Sequence, residues 1–89
     1  MSLRGNDWLD FSKKVSDHIE NYTVPQYGDK GNDEADDFTA EECVKHIKRY
    51  VARHGKNSRP GQDELDLIKI AHYAQMAHTK LQEQQNAKS

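Results

Sequence analysis

The sequence is short of the features that staple or span. It has one cysteine, Cys43, so no disulfide can form within the chain; a reducing, cytoplasmic setting is expected. No apolar run approaches the ~20 residues that cross a bilayer, and the first residues lack the apolar core of a signal peptide. Two prolines, Pro25 and Pro60, leave few forced breaks. There is no strand-like alternation, no internal repeat and no sustained heptad pattern. The formal charge of −2 gives no global basic excess, so no sequence-specific nucleic-acid partner is expected. GxxxxGK[ST], HExxH and CxxC are all missing, which removes the P-loop and the commonest zinc signatures. Apolar residues are scarce too, at 34% of 89 residues. A chain this small buries little of its surface. It is therefore expected to be marginally stable or a homo-oligomer that shares its core.

What is present is helical punctuation. Phe38 to Gly55 reads as one amphipathic helix with both ends marked. Thr39 and Glu42 form a capping box, and Phe38 with Cys43 a hydrophobic staple. Gly55 is a left-handed stop. Ala40, Cys43, Val44, Ile47, Tyr50, Val51 and His54 recur at three- and four-residue steps. Lys45, Arg49 and Arg53 mark another face, with Lys48 beside them. Upstream, Trp8, Phe11, Val15, Ile19 and Tyr22 predict a helix over 6–22, capped by Asn6 or Asp7 and stopped by Pro25, with Trp8 as a core anchor. Downstream, a helix begins between Pro60 and Asp63 and runs to about Gln82. Acids Asp63, Glu64 and Asp66 load its first turn. Leu67, Ile70, Ala71, Ala74, Ala77 and Leu81 form its apolar face. The spacing predicts an all-α fold: a small, oligomeric three-helix bundle with a long irregular loop between helices 1 and 2. Residues 1–5 are expected as a disordered leader, 6–82 as a single helical domain and 83–89 as a frayed tail.

The short basic turn from Lys56 to Gly61 makes the last two helices antiparallel neighbours. Arg53 then comes near the start of the last helix, where Asp66 is a plausible partner for Arg53 or Arg49. Two readings follow. One is an interhelical salt-bridge lattice. The other is a cationic pocket of Arg49, Arg53, Lys56, Arg59 and Lys69, since arginine forks suit phosphate oxygens. Tyr50 or Tyr73 would then contact a base or donate a hydrogen bond, and Asp66 would orient a cation. Asp29, Asp33, Glu34, Asp36 and Asp37 could bind a divalent ion, but the EF-hand pattern is not met; negative charge ahead of a helix explains Asp36 and Asp37 better. Cys43 and His46 have workable zinc spacing, yet Cys43 belongs to the apolar stripe and reads as a buried, inert thiol.

Arg49-Tyr50-x-x-Arg53, the basic turn with Lys56, and Asp66-Leu67-x-Lys69-x-Ala71-x-Tyr73 together resemble a family of phage and prophage proteins. Some of these are called nucleotide kinases and lack a P-loop. Their pattern reads HY…GNxxKYxxR…K…DLxKAxxY, and the match spans about Gln26 to Tyr73. Tyr27 stands for the early aromatic. Arg49 replaces the family lysine, Lys45-His46 its Gly-Asn, and Gln26 its early His. The resemblance implies a helical nucleotide-binding protein. Its site would comprise Arg49, Tyr50, Arg53, Lys56, Asp66, Lys69 and Tyr73, with magnesium as a possible companion of a nucleotide. Helical nucleotide pyrophosphohydrolases share Glu41-Glu42 and partly Asp63-Glu64-x-Asp66, but Lys45 stands where their magnesium site needs an acid. The alternative to a ligand-binding function is a non-enzymatic homo-oligomeric interaction module.

Overall fold

The computed structural model describes residues 1–29 and 38–87. Every regular element among them is helical, in three stretches. They fall in two compact units, Met1–Asp36 and Asp37–Ser89. Asp33, Glu34, Asp36 and Asp37, weighed above as metal ligands, lie outside the described residues, as do Lys88 and Ser89 of the expected tail.

In the first unit, α1 spans Leu3–His18. It starts inside the stretch expected as a leader. Ser2, not Asn6 or Asp7, is the cap, because its hydroxyl accepts the otherwise orphaned Gly5 N–H at 3.0 Å. A five-residue π turn, Ile19–Thr23, follows and leads directly into α2, Val24–Tyr27. Pro25 therefore does not stop the helix. It sits in the first turn of α2, where a missing N–H costs little. The stop falls at Gly28, whose φ of 94° suits glycine and whose N–H reaches the Val24 carbonyl at 2.8 Å. No residue of α1, the π turn or α2 is buried. Trp8, expected as a core anchor, is more than half exposed; within its own unit its aromatic neighbour is Phe11, 5.9 Å away between ring centroids.

The second unit is a hairpin of α3, Ala40–Arg53, and α4, Gln62–Ala87. The expected capping box is in place. The Glu42 N–H donates to Thr39 Oγ1 at 3.1 Å, and the Thr39 N–H to Glu42 Oε1 at 3.3 Å. Phe38 packs against the cluster of Ala40, Cys43 and Ala77, so the staple forms as well. Gly55 and Gly61, both at φ 79°, bracket the connection. α4 continues to Ala87, five residues past the expected end near Gln82.

The apolar faces only partly follow periodicity: Ala40, Cys43, Tyr50 and Ala77 are buried as expected, but other members of both stripes are not. Asp66, Ile68 and Ala77 are buried on α4, whereas Leu67 is 47% and Leu81 45% exposed. On α3, Ala40, Cys43 and Tyr50 are buried, and Val51 is 58% exposed. Successive helical residues differ by about 100°. Turning Asp66 inward to meet Arg53 thus turns Leu67 out. The hairpin has selected an ion pair and aromatic rings for its interior, leaving much of the aliphatic stripe outside. Among the described residues, no helix is long and apolar enough to cross a membrane.

Candidate functional site

The site is built from the last two turns of α3 and the first three of α4, joined by the turn between them. Arg53 lies at the end of α3 and Asp66 in the second turn of α4. The antiparallel hairpin brings them into a two-pronged ion pair. Arg53 Nε donates to Asp66 Oδ2 at 2.8 Å and Nη2 to Oδ1 at 2.6 Å. Such fork-to-carboxylate pairs are among the stronger hydrogen-bonded contacts in proteins. Asp66 is only 1% exposed and receives further donors. Gln62 Nε2 reaches Oδ1 at 2.7 Å and Asn57 Nδ2 reaches Oδ2 at 3.3 Å. The Arg53 hydrogen bond, supported by Gln62 and Asn57 and opposed by burial, lowers the Asp66 pKa from 3.8 to about 2.

A second carboxylate braces the turn. Asp63 Oδ1 accepts from Asn57 Nδ2 at 2.7 Å and from the Gly55 N–H at 3.2 Å. These two donors hold its pKa below the ordinary value. Asn57 thus ties both acids to the loop.

Above the ion pair lies an aromatic platform. The buried Tyr50 ring has three cations around it. The guanidinium carbons of Arg53 and Arg49 lie 4.9 and 5.5 Å from its centroid, and Lys69 Nζ lies 5.8 Å away. Tyr73 approaches Tyr50 at 6.0 Å and stacks on His46 at 4.9 Å, and His46 stacks on Phe38 at 5.2 Å. Arg49 Nη2 lies 3.0 Å from His46 Nδ1. A guanidinium can only donate, so Nδ1 must be the unprotonated ring nitrogen. Burial, then the charge of Arg49, lowers the His46 pKa.

Six of the seven sequence-derived site residues are therefore brought together: Arg49, Tyr50, Arg53, Asp66, Lys69 and Tyr73. Lys56 is exposed in the turn, where its backbone N–H bonds to the Arg53 carbonyl; Arg59 is exposed there too. Sequence reasoning missed Gln62, Asn57 and Asp63 as site residues; His46 shares the helix sector of Arg49, Tyr50 and Arg53, but its stacking partners do not follow from spacing. Gln62 precedes Asp66 by four residues, a spacing that could have signalled the contact. Asn57 needed the path of the turn. Cys43 is wholly buried, and burial raises its thiol pKa, the opposite of what a nucleophile needs. Among the described residues, no three His, Cys, Asp or Glu side chains converge as metal ligands would.

The described residues define an all-α protein with a helical hairpin closed by a buried aspartate and crowned by three cations on one tyrosine. No family model matches the chain, and no curated protein or solved structure matches it.

Proposed function

We propose that the α3–α4 hairpin binds a small phosphorylated ligand at the cations around Tyr50. One observation carries the reading. Arg49, Arg53 and Lys69 share one ring while, among the described residues, a single carboxylate, Asp66, pairs with them, and it pairs with Arg53 alone. Asp66 engages Nε and Nη2 of Arg53, so Nη1 stays outside the pair, and the side chain remains 41% exposed. The carboxylate thus acts as a positioning group that holds a guanidinium ready for phosphate oxygens. The buried Tyr50 ring seats the cations, and Tyr73, stacked on His46, flanks it. The resemblance to the phage proteins rests on Tyr50, Arg53, Asp66, Lys69 and Tyr73, and it extends the reading to a nucleotide and to phosphoryl transfer. Magnesium would arrive on the ligand's phosphates, because the Asp66 oxygens are already occupied by three side chains.

Thermal denaturation with nucleoside mono- and triphosphates and pyrophosphate, with and without magnesium, tests the proposal. Ligand at tenfold its dissociation constant stabilises by about 1.4 kcal/mol, which raises Tm by roughly 6–11 °C in a domain of this size. Arg49→Gln with Lys69→Gln should abolish the shift. No shift for the unaltered protein at millimolar ligand refutes the reading.

A second reading, a non-enzymatic homo-oligomeric interaction module, is favoured by the full set of partners around Asp66. In that case the Arg53–Asp66 pair serves only to close the hairpin. Arg53→Gln would lower Tm, and no phosphorylated ligand would change it. Melting would depend on protein concentration.

A further inference from the structure

We infer that a second copy of this chain docks on the aliphatic face of the α3–α4 hairpin, through a two-fold axis that passes at Ala74. The face follows from helix geometry. Cys43 and Tyr50 are buried on α3, and Asp66 and Tyr73 point toward α3 from α4. One step forward along either helix rotates by about 100°. Because the helices run in opposite directions, those two rotations turn to the same side of the hairpin. Val44 and Val51 on α3, and Leu67, Ala74 and Leu81 on α4, therefore form one exposed surface. Arg49 and Lys69 turn to the other side. The inference thus stands apart from the phosphate reading, and both can hold at once.

The occupant is argued from the spacing, the charges and the area. Leu67, Ala74 and Leu81 recur every seven residues and are symmetric about Ala74. An antiparallel α4 pair centred there sets Leu67 of one copy against Leu81 of the other, twice. The small Ala74 side chains meet at the closest approach. The same symmetry sets Glu64 against Gln84 and Ile70 against His78, so no carboxylate faces a carboxylate. The two helix dipoles oppose each other, which is favourable. α4 has 26 residues and α3 has 14. At 1.5 Å per residue and about 10 Å per helix, the face comes to roughly 600 Å². Stable dimers cover about 800 Å² per partner, so a reversible dimer is expected rather than a permanent one.

Sedimentation velocity of the full chain from micromolar to millimolar concentration gives the first test. A concentration-dependent dimer is expected, and Leu67→Lys should weaken it at least tenfold. Ala74→Cys gives the second, independent of any folding defect in Leu67→Lys. A residue on the axis should form a disulfide with its own copy under mild oxidation, whereas Gln75→Cys, on another face, should not. A monomer at millimolar concentration overturns the inference, whether another protein or the rest of the same chain covers the face. So does equal cross-linking at both cysteines. Phosphate-ligand binding by Leu67→Lys, measured in parallel, should be unchanged, which separates failure here from failure of the ligand reading.

Discussion

Asp66→Asn is the most informative single substitution. It keeps the volume and removes the charge. The aspartate sits at 1% exposure under two N–H groups of Arg53, one of Gln62 and one of Asn57. An asparagine must place its NH2 against one set of those donors. The loss can be sized from the carboxyl's titration. Its pKa falls from 3.8 to about 2 on folding, and each pKa step is worth ~1.36 kcal/mol. The folded state therefore gains roughly 2 kcal/mol from the ionised form. A depressed acid pKa contributes fully above the unfolded value and is lost as pH falls through the folded one. The contribution is thus complete above about pH 5 and disappears toward pH 2. Thermal and urea unfolding followed by circular dichroism from pH 7 to pH 2 measures it. At neutral pH the variant should melt roughly 8–16 °C lower. The gap to the unaltered protein should then close as pH falls below 4. A variant that melts within 2 °C of the unaltered protein refutes the reasoning. So does a gap that stays constant with pH, which would make the loss steric rather than electrostatic.

Two further outcomes test other parts of the hairpin. Thr39→Ala removes the acceptor for the Glu42 N–H and the hydroxyl's contact with Glu42 Oε1, leaving only the backbone arm of the capping box; a loss of about 1 kcal/mol is expected from chemical denaturation. The His46 ring, between Phe38 and Tyr73 with Arg49 on Nδ1, should titrate by NMR below the ordinary 6.5. Because its folded pKa is lowered, His46 contributes most above pH 6.5. That contribution shrinks as pH falls through 6.5 toward the folded value. Titration at or above 6.5 would contradict the Arg49 contact.

Local chemistry in the sequence carried much of the hairpin. Thr39 and Glu42 are three residues apart and need nothing distant to form their box. Arg53 and Asp66 were legible because the connection between them is too short for any arrangement but an antiparallel one. The aliphatic stripe of α4 was only partly legible: Ala77 is buried as its spacing predicts, Leu67 and Leu81 are not. Periodicity puts Leu67 and Ala74 at the centre of the α4 face, but it cannot weigh a wide apolar face against one buried ion pair with four hydrogen bonds. A rotation of a single residue separates the two choices. Helical spacing puts His46 in one sector with Arg49, Tyr50 and Arg53, but nothing in the sequence places Phe38 and Tyr73 on its two sides. The π turn was missed because Pro25 is as common a helix stop as it is a first-turn residue.

That π turn gives the first unit a spare residue. The Val24 N–H reaches back five positions to the Ile19 carbonyl, where an α-helix would reach back four. A chain with one residue deleted between Ile19 and Thr23 could run as an unbroken α-helix. Val24 to Gly28 would then swing by about 100° about the axis of α1. A single-codon deletion there would turn α2 to a new side of the helix axis while leaving α1 and its Ser2 cap unchanged.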